Sequence, residues 1–221
     1  MHDADYGHLR LAARHFLETS LVVNGLRPKP HVFVVGTSRF INRIGLNDGD
    51  PADGDLAAIA DEAWWLAGIG GETTRQMRQR FVQDVVALKP TGAIIFVGSC
   101  NDFWPQNRMS VVDTKSYLAR IARLAKGSGI HLAIASLIPA SDHLPKKDFI
   151  SSHPLAAVQE LNRWIKGLCQ ENGYLFLDFY HPVADRDGKL RRDFTEDGLH
   201  CNAAGYAALK PLVEKALTEL K

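Results

Sequence analysis

Asp197 and His200 stand three residues apart in TEDGLHCNAAGYAAL (195–209), with Gly198 between them. A tight turn at that glycine brings the carboxylate into hydrogen-bonding reach of the imidazole, holding one ring nitrogen and leaving the other to take a proton. This is the equipment of a general base. The same stretch also reads as the entrance to a helix capped by Asn202. Upstream, VVGTSRF (34–40) joins a run of β-formers to a glycine, two small hydroxyl residues and an arginine. Ser38 there is either a helix cap or a nucleophile. In GIGGET (68–73), Gly71 leaves its backbone N–H unshielded toward whatever occupies the mouth of a sheet. In GSCNDFW (98–104), Asn101 and Asp102 either form a turn, or Asn101 turns its amide into a cleft as a donor to an oxyanion.

The elements that must position these residues follow from hydrophobic periodicity. Short β-rich runs occur at 31–36, 63–68, 92–98, 131–138 and 174–179, and helical patterns at 73–89, 113–129, 155–173 and 202–220. Alternation of this kind predicts an α/β fold with a parallel sheet covered on both faces. Chemistry in such sheets gathers at the carboxyl ends of the strands. All four candidate stretches follow a predicted strand or enter the last predicted helix. A further amphipathic helix is expected within residues 1–26, packed on or extending a single domain of 221 residues.

Several function classes are excluded by pattern. Counted as G-x-G-x-x-G from Gly68, the dinucleotide fingerprint has Thr73 at its last position, and no Walker A motif occurs. The acidic stretch 47–55 resembles a calcium loop, but Ala52 and Ile59 stand where oxygen ligands are required, so it reads as a surface loop. No HExxH or paired-cysteine spacing suggests a metal, and no cofactor is expected. The net charge of +1 and the isolated basic stretches argue against nucleic acid. No apolar run is long enough to span a bilayer. Three separate cysteines and an N-terminus without a signal-peptide pattern lead to a cytoplasmic expectation. Nothing in the chain fixes an oligomeric state.

The four stretches occur in one order, and that order resembles the SGNH, or GDSL-like, family of esterases and lipases, in its small acylhydrolase branch. The blocks are VVGTSRF, GIGGETT, GSCNDF and EDGLHCNAAGY. The resemblance implies a three-layer α/β/α, flavodoxin-like fold with a five-stranded parallel sheet. It implies Ser38 as nucleophile, Asp197 and His200 as its triad partners, and Ser38, Gly71 and Asn101 as the oxyanion hole. The expected partner is a small ester, with Arg39, Phe103, Trp104 and His143 along the substrate. Two positions depart from the family pattern. Thr37 stands where an aspartate is usual, and Ser99 where a glycine is usual. The expected activity is hydrolysis of small or short-chain acyl esters. Acyl transfer by the same serine, and ligand binding without catalysis, are the alternatives.

Overall fold

The computed structural model describes residues 32–36, 64–66, 68–144 and 149–220. The predicted N-terminal helix, the acidic stretch 47–55, and Thr37, Ser38 and Arg39 lie outside the described residues.

Five strands form one parallel sheet: β1 (Val32–Gly36), β2 (Trp64–Leu66), β3 (Gly92–Phe96), β4 (His131–Ala135) and β5 (Leu175–Leu177). Their order across the sheet is β2-β1-β3-β4-β5. The chain thus leaves β1 for β2 on one side and returns to place β3 on the other. That reversal creates a switch point between β1 and β3, where connections diverge and a crevice opens beyond the carboxyl ends. In register, Gly36 lies opposite Phe96, so β1 and β3 end at the same level of the sheet.

Among the described residues, four helices cover the sheet: α1 (Thr74–Asp84), α2 (Val111–Gly127), α3 (Leu155–Asn172) and α4 (Ala203–Glu219). The period of two along β3 and β4 divides the core. Ala93, Ile95, Leu132 and Ile134 pack with Met77, Phe81, Leu118 and Leu161 on the side of α1, α2 and α3. Ile94, Phe96, Ala133 and Ala135 pack with Tyr206, Leu209 and Val213 of α4 on the other. A sheet buried on both faces needs unbroken apolar runs, which explains why these strands read as continuous rather than alternating hydrophobics. Fully buried Phe81, Phe96 and Phe179 each contribute on the order of 2 kcal/mol from area alone.

Local chemistry sets the boundaries. Capping boxes start two helices: Thr73 with Gln76 for α1 and Ser110 with Asp113 for α2. The pattern predicted over 73–89 stops as an α-helix at Asp84 and tightens to a 3-10 turn over Val86–Leu88, because Pro90 disfavours helix at Lys89. The strand predicted over 131–138 ends at Ala135. Beyond it, the Asn162 side chain accepts from the Leu137 N–H at 2.7 Å and donates to the Leu137 carbonyl at 3.1 Å, taking the place of a neighbouring strand. The Ser136 hydroxyl oxygen likewise accepts from the backbone N–H groups of Phe179 and Tyr180, which ends β5 early.

At the opposite end of the sheet, a Cβ added to Gly92 would come within 2.7 Å of Leu220 Cβ and 2.9 Å of its carbonyl oxygen. Gly92→Ala is therefore expected to lower stability by about 1–3 kcal/mol, read as a lower denaturant midpoint at unchanged slope.

Candidate active site

Gly71, Asn101, Asp197 and His200 all lie on segments at the carboxyl edge of the sheet. Gly71 adopts φ +78°, a conformation that glycine accepts without strain, and it is exposed just ahead of α1. Among the described residues, no carbonyl accepts its N–H. The Asn101 side-chain amide donates to the Glu72 carbonyl oxygen at 3.0 Å, which fixes it against the residue next to Gly71. Glu72 is itself buried, its carboxylate gripped by Arg80 through two contacts of 2.7 Å.

Asp102 makes the second tie between these segments. It is 1% exposed, and its carboxylate accepts from the Thr74 N–H at 2.7 Å, from the Thr74 hydroxyl, and from the Thr114 hydroxyl at 2.7 Å. One carboxylate thus joins the loop after β3 to the first turns of α1 and α2. Between β3 and this tie the chain turns sharply. Gly98 lies at φ +64°, and Cys100 at φ +75° and ψ +90°. A non-glycine residue there costs roughly 1–3 kcal/mol and persists only where its surroundings hold it.

Asp197 and His200 are brought together as their spacing predicts. His200 Nδ1 lies 2.7 Å from Asp197 Oδ2. Asp197 Oδ1 accepts from the backbone N–H groups of Leu199 and His200 at 2.9 and 2.8 Å. Gly198, at φ +83°, permits this turn. Buried Thr195 braces it, donating to the His200 carbonyl oxygen at 2.7 Å and accepting from the Gly198 N–H at 2.9 Å. The Ser141 N–H bonds the Gly198 carbonyl at 2.8 Å. Partial burial opposes ionisation of Asp197, but the backbone N–H and imidazole of His200 and the Leu199 N–H outweigh it and bring the carboxyl down to about 2. The pair therefore carries a fixed carboxylate at neutral pH, with His200 Nδ1 committed and Nε2 the ring's other nitrogen. Asn202 caps α4 as well, accepting from the Gly205 N–H at 3.1 Å, so the helix entrance and the Asp–His pair coexist in one stretch.

The remaining expected residues have specific neighbours. His143 Nδ1 lies 2.7 Å from Ser141 Oγ, close to the support of Gly198. Phe103 and Trp104 are half-buried and set edge-on against His153. Trp104 also meets Phe149, with ring centroids 5.6 Å apart. Three features escaped the sequence reading. The first is the Asp102–Thr74–Thr114 tie, whose threonines carry no spacing signal. The second is His153, only 1% exposed beneath these aromatic rings. The third is a second pair, Asp178–His181, with Nδ1 to Oδ2 at 2.7 Å. Its Asp-x-x-His spacing equals that of Asp197–His200 and was there to be found. It follows β5, the edge strand remote from the β1/β3 switch, and His181 is 79% exposed.

The three cysteines are buried free thiols. Burial keeps Cys169 and Cys201 protonated, with pKa values pushed up to about 12, and raises Cys100 well above its ordinary value. Among the described residues, no three His, Cys, Asp or Glu side chains group as a metal site, and no helix is long and apolar enough to cross a membrane.

The sequence profile of the GDSL-like Lipase/Acylhydrolase family matches residues 43–208. The chain belongs to this family. Members of the GDSL-like family are carboxylic ester hydrolases, and the α/β fold with its parallel sheet agrees with that membership. The matched stretch contains Gly71, Asn101, Asp197 and His200 and starts beyond Ser38. Solved structures share the fold. A GDSL-like lipase from Bacteroides thetaiotaomicron superposes with a TM-score of 0.76 at 23% identity, covering 95% of this chain and 98% of its own. A lipase/acylhydrolase from Enterococcus faecalis gives 0.63 at 19% identity, over 86% and 97% of the two chains. A catalytic mutant of an acetylxylan esterase from Geobacillus stearothermophilus gives 0.62 at 18% identity, over 86% and 95%. No match was found among curated proteins.

Two outcomes follow from this geometry. Asp102→Ala leaves the buried Thr74 N–H and hydroxyl without their acceptor, while the Thr114 hydroxyl keeps the Ser110 carbonyl at 3.1 Å, and is expected to cost about 3 kcal/mol in denaturant unfolding. The folded Asp197 carboxyl titrates below its ordinary 3.8, so its contribution to stability is complete above that value and is lost as pH falls from there toward about 2. Thermal melts should show Asp197→Asn, which has nothing to protonate, losing less stability than wild type over that range.

Proposed function

We propose that this chain hydrolyses small or short-chain acyl esters through an acyl-serine formed on Ser38. The observation that carries the reading is the Asp197–His200 pair: a carboxylate locked by two backbone N–H groups and an imidazole oriented by the carboxylate's second oxygen. In a family of carboxylic ester hydrolases, such a pair serves as general base for a serine.

His200 Nε2 takes the Ser38 hydroxyl proton as Oγ bonds to the substrate carbonyl carbon. Asp197 stabilises the imidazolium that results. The carbonyl oxygen, now negative, is met by N–H donors from Ser38, Gly71 and Asn101. The Glu72 carbonyl holds the Asn101 amide in place. Collapse expels the alcohol, which leaves with the proton from His200. Water then attacks the acyl-serine, with His200 again receiving the proton, and the acid departs. Preorganised donors act without reorganising during the reaction, and losing one costs on the order of a hundred- to a thousandfold in rate.

Arg39, Phe103, Trp104 and His143 are assigned to the substrate side of this site. Acetylated carbohydrates and lysophospholipid-type esters are the favoured substrates. An acetylxylan esterase among the proteins that share the fold supports the first of these. The whole chain is read as one hydrolase domain.

A series of p-nitrophenyl esters of increasing acyl length tests the proposal. Turnover is expected to be highest for acetate, and Ser38→Ala should lose on the order of a thousandfold or more. A fluorophosphonate should label Ser38 alone. Asp197→Asn should lower kcat by roughly a hundred- to ten-thousandfold while the fold persists. Equal hydrolysis by wild type and Ser38→Ala would remove the acyl-serine. Turnover that rises with an added alcohol acceptor would make the chain a transferase instead.

A further inference from the structure

Trp104 and Phe149 meet where the two halves of the site approach each other. Trp104 is tied to the Asn101 side: its N–H donates to the Asn101 carbonyl oxygen at 3.2 Å, at the end of the short 3-10 turn that Asn101 begins. Phe149 is tied to the histidine side. Its Cδ2 lies 3.4 Å from where a Cβ on Gly198 would stand, and Leu144 Cδ1 lies 3.6 Å from the same point. The two rings join edge to face, with centroids 5.6 Å apart and planes at 89°. One apolar corner of Trp104, Phe149 and Leu144 therefore connects the Asn101 segment with the turn that holds His200.

The corner is firm but incompletely covered. Edge to face is a preferred arrangement of aromatic rings, so the pair resists separation. Beside Trp104 stands the imidazole of His153, 1% exposed, with ring centroids 4.9 Å apart, so the indole cannot recede without displacing a buried ring. Yet Trp104, Phe149 and Leu144 are each only half-buried. Apolar surface left over beside a reaction centre gains from being covered by an apolar part of the substrate. Two parts of an ester compete for that place. The alcohol departs with the proton from His200, whose side chain is 49% exposed, so its path leads to solvent. The acyl group stays on Ser38 until water arrives, and a fixed apolar surface serves it through both halves of the reaction.

We propose that Phe149, set edge-on against Trp104, is the end wall of the acyl subsite and limits the substrate to short acyl groups. The inference rests on the acyl-serine reading above and adds to it the side chain that sets acyl length. An acetyl methyl group fits in front of the rings. Each further methylene has to displace Phe149 or turn outward into water.

The test uses p-nitrophenyl acetate, butyrate and hexanoate, which share one leaving group, so that ratios of kcat/KM report the acyl end alone. Phe149→Ala is expected to raise the butyrate-to-acetate ratio by about tenfold or more, since a methylene gained or lost in an apolar pocket has an effect of that size. Phe149→Leu should raise it partway, and Phe149→Trp should lower it. Because Phe149 also packs on Gly198, its truncation can slow every ester by loosening the histidine loop. A uniform loss with the ratio unmoved makes Phe149 a brace only and overturns the proposal. If Phe149→Ala does not fold, an unmoved ratio in Phe149→Leu has the same force. A second series keeps the acetyl group and varies the alcohol. A preference that moves there and not in the first series puts the corner on the alcohol side, which also overturns the proposal. Failure of the underlying reading is seen earlier: absence of Ser38-dependent hydrolysis in the wild type removes the acyl-serine, and the subsite with it, before any Phe149 variant is compared.

Discussion

The arrangement depends on one buried carboxylate. Asp102 accepts from a backbone N–H and two hydroxyls contributed by the starts of two helices. A polar group with so little solvent is tolerable only when its oxygens are engaged, so the helices and the loop after β3 must meet in one geometry. The Asn101 amide on Glu72, and Arg80 on the Glu72 carboxylate, extend the same constraint toward Gly71. Donors drawn from segments some thirty residues apart in sequence become parts of one rigid frame.

A second frame, around the imidazole, is built almost wholly from local contacts. Thr195, Asp197, Gly198, Leu199 and His200 satisfy one another within a single turn, with the Ser141 N–H on the Gly198 carbonyl as a contact from elsewhere among the described residues. The two frames differ in how they tolerate change. The Asp-x-x-His pairing of the local one recurs in the Asp178–His181 turn. The other requires the whole sheet and its helices. The residues from 149 to 153 lie between them, and through Phe149 and His153 they touch each.

This contrast explains what could be read from the sequence. The five strands and four helices among the described residues were visible in hydrophobic period. The pairing of Asp197 with His200 was visible because spacing is a local property, whereas the roles assigned to Gly71 and Asn101 came from the order of the four blocks. Strand ends were misjudged because ladders stop where a distant side chain takes over, as Asn162 and Ser136 do, and hydrophobicity carries no record of that. The roles of Asp102, Thr74 and Thr114 were hidden for the same reason, since a threonine inside a helix announces nothing about a partner on another element. The sequence placed His153 at the end of the loop after β4 but carried no sign of its burial, which leaves it 1% exposed. Ser38 was assigned only through the order of the four blocks and lies outside the described residues.

The Asn162 amide has an effect that extends beyond ending a strand. By imitating a peptide group beside Leu137, it turns the chain away from the sheet at a defined point and gives residues 138–144 a fixed place to depart. That departure point determines where Ser141 meets Gly198. A side chain on the outer layer thereby measures the span that suspends the histidine loop over the edge, working as a ruler rather than as a contact.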